Sequence, residues 1–521
     1  MQRCPKLLMI ALTLALLVLD TPAQNASSSP LRFRITLAKE IAPRGVSGRL
    51  LVLMTDSVHQ RDSLNPGFVP GSMWMAAMEV EQLAPGGSID LDADRIAFPG
   101  PLSQAKRGTY QVMALLDPNH SYPYHGQDEG DFSSQVIKIE DLNPADSKPV
   151  ELTLSRITPA GGPSLTDTDQ VKLVEFESPL LSTFWGRSIT MRAGVVLPPS
   201  YTKATARTYP AAYHIHGFGG DHRAAWRQGQ SLVMAMADGK QPEMIHVFLD
   251  GSFPTGHHEF ADSVNNGPWG RALTEEFIPL LEKRFRLVAK PYARFLTGHS
   301  SGGWSTLWLQ VTYPDFFGGT WSTAPDPVDF REFTGINATA GSTDNAYRKR
   351  DGAAKNLVRM NGKEIASVEE FARQEEVMGE YGGQFASFEW VFSPRGQDGR
   401  PLKLFNRVTG DLNQDVVRAW EKYDIRLTLD RTWATLGPKL RGKLNLFCGD
   451  ADTFHLNEAF KLLCDFLKRK GSDAVCELVP GRDHMNLYQA YQTYPEGLAL
   501  RVYKEMYAKF EKESSAAGQR Q

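Results

Sequence analysis

Cysteine is scarce, with four residues in a chain of 521. Cys4 falls in a segment that reads as a leader, which leaves Cys448, Cys464 and Cys476. An odd number requires at least one free thiol or a bridge between chains. A pairing of Cys464 with Cys476, from a helix end to the next strand, stays open on sequence grounds. None of the cysteine spacings suits a zinc site. An excess of either charge is also missing: 57 Lys and Arg stand against 60 Asp and Glu. That balance offers no basic field for nucleic acid or for an anionic membrane surface, so no nucleic-acid partner is expected. Beyond the N-terminus no apolar run approaches the roughly 20 residues of a bilayer span, so no stable membrane insertion is expected. Internal repeats, the zinc-protease pattern H-E-x-x-H and the calcium-loop spacing of an EF-hand are absent as well. The acidic cluster Asp117, Asp128, Glu129 and Asp131 therefore reads as a solvated loop.

What is present begins with an export signal. Arg3 and Lys6 precede the apolar run from Leu7 to Leu19, and Thr21, Pro22 and Ala23 supply small residues at cleavage spacing. Residues 1–23 are read as a signal peptide, and the protein is expected to be exported, periplasmic or extracellular. Asn25, Asn119 and Asn337 open glycosylation sequons, which matter only in a glycosylating host. The length predicts more than one core, and 41% hydrophobic residues are enough to fill them.

Residues 30–155 carry short β-like runs separated by Pro, Gly, Asn and Asp, which predicts a small all-β, sandwich-like unit. Residues 156–168 have linker composition. From 169 to 513 strands alternate with helices, the signature of an α/β fold with a mostly parallel sheet covered on both faces. The strands begin near Ala211, Met244, Ala293, Leu444 and Ala474, and Ala272 to Phe285 has helical spacing. Residues 325–440 interrupt the rhythm and read as a cap-like insertion with a helix near Val368 to Met378. Residues 514–521 are expected to be a mobile tail.

The chemistry gathers around Ser300. It lies between Gly298 and Gly302, after the apolar strand Phe295 to Thr297 and before a helix-compatible run from Trp304. Strand, sharp turn and helix form the context of a nucleophile elbow, in which the serine projects into open space. A serine hydroxyl needs a base and a carboxylate that orients the base, and in this architecture they should follow in the order acid, then base. Asp452 lies just beyond the strand ending at Cys448 and is favoured over Asp450, and His484 follows the last strand. His455 is a rival base but lies too near the acid, at the start of a helix. For the oxyanion the Ser301 amide is one expected donor. The glycine-rich loop after the strand at Ala211 supplies the other, Phe218 first and Gly219 second.

Pocket candidates are His216, Gly217, His299, His258 and Trp269, the last as an apolar wall in the loop after Asp250. A metal held by His257, His258 and Glu259 with His214 or His216 is disfavoured, because adjacent histidines usually point apart; no metal and no cofactor are expected. Trp304 and Trp308, four apart on a helix, read as core packing.

Taken together, residues 170–510 resemble the secreted putative-esterase family of α/β-hydrolases. That family is similar to enterochelin esterases, feruloyl esterases, S-formylglutathione hydrolases and mycolyl transferases. The resemblance rests on Val195 to Tyr201, Tyr213 to Gly220, Leu249 to Gly251, Gly298 to Gly303, Gly449 to Asp452 and the His484 loop. It implies a nucleophile at Ser300, an acid at Asp452 and a base at His484. The expected function is a serine esterase working through an acyl-enzyme, on a small-molecule or polysaccharide-linked ester. Acyl transfer or peptide hydrolysis with the same triad is the first alternative. A non-catalytic carbohydrate- or peptide-binding protein on a decayed hydrolase fold is the second.

Overall fold

The computed structural model describes residues 31–120, 127–145, 148–159, 165–379 and 383–518. The expected leader at 1–23, the Asn25 sequon and part of the expected linker lie outside the described residues.

The runs rich in Val, Ile, Phe and Tyr after residue 170 form an eight-stranded sheet. Its first two strands, Val171–Glu177 and Thr190–Val196, are antiparallel. Thr190–Val196 also runs antiparallel to Ile245–Leu249, from which all later pairings across the sheet are parallel. Ala211–Ile215 lies between Ile245–Leu249 and Arg294–His299, so the sheet turns back on its own sequence order at this point. In a mostly parallel sheet, ligands gather beyond the carboxyl ends of strands near such a reversal.

Both faces are buried. Ile245, Val247 and Leu249 enter one apolar cluster with Phe277, Ile278 and Leu281, whereas Phe248 enters another with Ala225, Leu232 and Met236. Arg294–His299 divides in the same way, with Leu296 on one side and Phe295 on the other. Two-sided burial is what makes such strands read as near-continuous apolar runs. Gly319–Thr323 is the exception: its residues are all buried, yet three of the five are Thr or Ser.

Among the described residues of 32–157, nine strands join in one hydrogen-bonded sheet. The strand Gly108–Asp117 pairs with Ile137–Leu142 along its first half and with Phe132–Ser134 near its end, so the sheet divides there. The alternation of Val46–Thr55 serves two cores. Leu50, Val52 and Met54 fill the front sheet's own interior, while Leu51 and Leu53 join the large cluster that includes Phe371 and Phe385 of the 325–440 segment. The front sheet is therefore packed against the catalytic part through a continuous apolar face.

Within 325–440 lie the hairpin Asn356–Met360 and Lys363–Ser367 and the helices Val368–Met378, Gln384–Phe392, Gln414–Trp420 and Ile425–Leu440. Ser367 and Glu370 form a reciprocal capping box at the start of the first of these helices. Cys464 and Cys476 are bridged, with Cα atoms 6.0 Å apart, and Cys448 is a buried free thiol. Of the expected tail, residues 514–518 are helical, and 519–521 lie outside the described residues. The helix Leu498–Gly518 continues through Ser514, anchored upstream by buried Leu498, Val502 and Met506.

Candidate active site

Ser300 joins the strand Arg294–His299 to the helix Ser301–Thr312 with φ 59° and ψ −124°. A positive φ is strained for a residue with a Cβ, and such strain persists where the surroundings over-determine it. Here the Ser300 amide donates to Thr323 O at 3.1 Å, and its carbonyl accepts from Trp304 and Asp326 at 3.0 and 3.2 Å. Gly302 is required by close approach: a Cβ would stand 2.0 Å from Ile215 O. Gly217 is more mildly constrained, since its Cβ would meet Ser300 Cβ at 3.1 Å. These contacts press the loop after Ala211–Ile215 against the elbow.

His484 and Asp452 arrive from the last two strands. His484 Nδ1 lies 2.8 Å from Asp452 Oδ2, and both side chains are buried. The other oxygen, Asp452 Oδ1, accepts from the amides of Phe454 at 2.9 Å and Leu456 at 3.2 Å. Burial alone would raise the Asp452 carboxyl, but the His484 charge and hydrogen bonds outweigh it and hold the carboxyl below its usual value. For His484 burial alone would lower the imidazole, and the Asp452 charge and hydrogen bond carry it above its usual value. Asp450 instead accepts from Gly481 N at 2.7 Å. His455 occupies the N-cap position of the helix Leu456–Arg469 without a side-chain capping bond, and its Nε2 lies 3.3 Å from Glu364.

Ser300 and His484 open on a cavity of about 470 Å³, within the range of small-molecule pockets. Gly217, Phe218 and His299 also line it. His299 stands against His484, with ring centroids 4.4 Å apart, and its Nδ1 lies 3.1 Å from Thr323 Oγ1. The Ser301 amide sits in the first turn of its helix, where amides lack intrahelical acceptors and the helix dipole favours negative charge.

Three of the expected pocket residues lie elsewhere. Trp269 is buried, donates to Asn266 O at 2.9 Å and stacks on His258 at 3.7 Å, so it forms core instead of an apolar wall. The His258 ring is held from below by the Phe260 amide at 3.1 Å. His216 turns away from the cavity, and its Nε2 accepts from Gly251 N at 2.8 Å. The physical reason is shared: each ring completes the hydrogen bonding of the buried 250–270 loop. Among the described residues no group of three or more His, Cys, Asp and Glu side chains is arranged to hold a metal ion. Trp304 and Trp308 stack on each other at 5.2 Å and pack on Phe392 and Tyr423.

One carboxyl at the site, Asp326, escaped the sequence reading, and a second, Glu259, was considered there only as a disfavoured metal ligand. Asp326 follows the polar strand Gly319–Thr323 and accepts from Ser300 Oγ at 3.3 Å and from Ser301 Oγ at 2.6 Å. Burial, and then the neighbouring Glu259, push it up to about 7. Glu259 is buried and raised to about 8 by desolvation. Ser305 Oγ lies 2.7 Å from Ser301 O and donates to Glu259 Oε2 at 2.6 Å, a bond that favours the charged carboxylate without offsetting the effect of burial. The nearest signal for Asp326 in the sequence was its place just beyond a strand end, and that strand's polar composition hid it.

Residues 185–374 match a protein-family model described as putative esterase. Over those residues the chain is similar to that family. That match takes in Phe218, Ser300 and Asp326 and ends before Asp452 and His484. An endo-1,4-beta-xylanase/feruloyl esterase of Xylanibacter ruminicola is 31% identical over 147 residues, covering 26% of this chain and 20% of that protein. The chain thus spans about a fifth of the length of the curated relative it matches. Among solved structures, a ferulic acid esterase is similar with TM-score 0.41 and 14% identity over 65% of this chain and 99% of its own. An S-formylglutathione hydrolase from Agrobacterium tumefaciens is similar with TM-score 0.36 and 15% identity over 66% of this chain and 94% of its own.

Proposed function

We propose that this protein is an exported serine esterase that hydrolyses carboxylic esters through an acyl-enzyme on Ser300, His484 and Asp452. The observation that carries the reading is the buried His484 and Asp452 pair at 2.8 Å, opening on the same cavity as a serine held at positive φ. The esterase domain match supports the reaction class. The Cys464 to Cys476 bridge suits an oxidising compartment.

The reaction follows from these positions. Rotation about χ1 turns the Ser300 hydroxyl from Asp326 toward His484, a modest change that resting enzymes commonly need. His484 takes the Ser300 proton as Oγ bonds to the ester carbon, and Asp452 holds the Nδ1–H tautomer and stabilises the imidazolium. The Ser301 and Phe218 amides receive the oxyanion, each donor lowering the barrier by roughly 3 kcal/mol. The alcohol leaves with the proton held by His484. Water then gives a proton to His484 and hydroxide to the acyl carbon; the acid departs and Ser300 regains its proton.

The curated relative's name makes feruloyl esters the first substrates to try, alongside aryl esters of graded acyl length. The deciding experiment is active-site labelling with a fluorophosphonate and turnover of aryl esters by the wild type and Ser300→Ala. Labelling and turnover that vanish together in the variant support the reading. Undiminished turnover in Ser300→Ala would exclude it, and a wild type that neither labels nor turns over any ester favours a binding protein.

A further inference from the structure

Phe68 belongs to the front sheet, in the loop between the strands Val46–Thr55 and Trp74–Leu83, yet it lines the cavity that holds Ser300 and His484. Its ring meets Phe371 edge-on at 5.2 Å, Phe454 edge-on at 5.6 Å and Phe218 at 6.1 Å. These partners come from three other places: the helix Val368–Met378, the loop carrying Asp452, and the glycine-rich loop beside the elbow. Phe454 in turn stands edge-on to His484 at 4.9 Å. One aromatic side chain from the front sheet thus closes a wall that the catalytic sheet leaves open.

The loop is held from both sides. Gln374 on the helix Val368–Met378 donates to Gly67 O at 2.9 Å, one residue before Phe68. At the end of that helix Arg49 of the front sheet donates to Glu376 O at 2.8 Å and Val377 O at 2.9 Å. A cation on terminal helix carbonyls is favourable for the dipole and satisfies acceptors that lack intrahelical donors. Glu79 holds the Arg49 guanidinium at 2.9 Å from the opposite direction. Leu51 and Leu53 beneath complete a packed junction, not a hinge.

The chemistry of the wall indicates what it receives. Phe68, Phe371, Phe385, Phe388, Leu357 and Leu456 contribute apolar surface. A sugar placed among them would lose water from hydroxyls with few partners, an uncompensated desolvation that disfavours binding there. An acetyl group would leave most of the cavity of about 470 Å³ unfilled. Resting on the esterase reading, we infer that the front sheet is a working part of the active site: Phe68 is a specificity-determining residue for a bulky apolar acyl group. The preferred esters then carry an aromatic or medium-chain acyl on an alcohol that points outward.

The test is a matrix of kcat/KM values for wild type, Phe68→Ala and Phe68→Leu. One arm varies the acyl group from acetyl to octanoyl and cinnamoyl on a constant p-nitrophenyl leaving group; the other varies the alcohol at constant acetyl. The expected result is a drop of about tenfold or more in the bulky-acyl to acetyl ratio for Phe68→Ala, seen mainly in KM, with partial recovery in Phe68→Leu. A ratio equal to wild type, with all esters reduced alike, overturns the inference and leaves a purely bracing role. A change that follows the alcohol series instead also overturns it. Fluorophosphonate labelling of each variant separates the failures: a labelled variant with unaltered selectivity refutes Phe68 alone, whereas an unlabelled, inactive wild type removes the esterase reading and this inference together. If Phe68→Ala does not fold, Phe68→Leu and Phe68→Trp carry the comparison, with opposite changes in acyl preference expected.

Discussion

The Ser300 hydroxyl donates to Asp326 Oδ1 at 3.3 Å, so the candidate nucleophile and a second buried carboxyl meet on the cavity wall. This contact sets a pH dependence beyond that of the base. Burial pushes Asp326 up to about 7, and once ionised its charge raises His484 and stands beside the Ser300 hydroxyl. Asp326→Asn is therefore expected to move the acidic limb of kcat/KM to lower pH and, by removing a negative charge beside the nucleophile, to raise the rate on the alkaline plateau. A pH profile of each enzyme on one aryl ester checks both shifts. An unchanged profile would remove Asp326 from the chemistry.

The His484 and Asp452 hydrogen bond predicts a larger effect. Asp452→Asn leaves the buried contacts of similar shape but favours the wrong imidazole tautomer, so kcat is expected to fall by about 10⁴-fold. His484 also loses the charge that holds it above its ordinary value, so the residual activity should keep its acidic limb at lower pH than wild type. Stopped-time assays with a reactive aryl ester measure both quantities.

Backbone strain at the elbow can be read as stability. Ser300 adopts φ 59° with ψ −124°, a region that glycine occupies without steric cost. Ser300→Gly is expected to be inactive yet more stable by about 1 kcal/mol, after the entropy glycine adds to the unfolded chain. Denaturant midpoints of Ser300→Gly and Ser300→Ala isolate the effect, because Ala keeps the Cβ.

Glu259 supplies a test through stability and pH. Its folded pKa of about 8 exceeds the ordinary value of 4.5, so the folded state binds the proton more tightly. The stability gained by that proton is present in full below pH 4.5 and declines as pH rises through 8. Wild type should lose thermal stability between pH 5 and about 8.5 more steeply than Glu259→Gln, which is neutral throughout. Melting curves across that range decide it; parallel losses would mean that Glu259 is already ionised.

Much of the catalytic core was legible because its signals are local. The strand before Ser300 and the helix after it are written in neighbouring residues, as is the boundary of Val368–Met378, set by Ser367 and Glu370. The choice of Asp452 over Asp450 rested on distance beyond a strand end, and the observed pairing with His484 has that form. Gly319–Thr323 was not recognised, because its Thr and Ser residues look exposed in sequence and are buried between parallel neighbours that satisfy their backbone. Overlooking that strand concealed Asp326 at its end. Trp269 and His258 were placed on the cavity because their loop follows a strand of the same sheet; their mutual stacking draws both into the core instead.

The sequence by itself determined where a strained serine turn forms, and in what order an acid and a base follow it, because short-range sterics and the alternation of apolar residues govern those features. Only the tertiary structure decided that Asp326 faces Ser300, that Glu259 is buried with its carboxyl raised, and that Phe68 reaches the cavity from a sheet more than 200 residues upstream. Those outcomes depend on which surfaces are pressed together when the two sheets and the 325–440 segment share one apolar core, and no periodicity along the chain encodes a contact between segments so far apart.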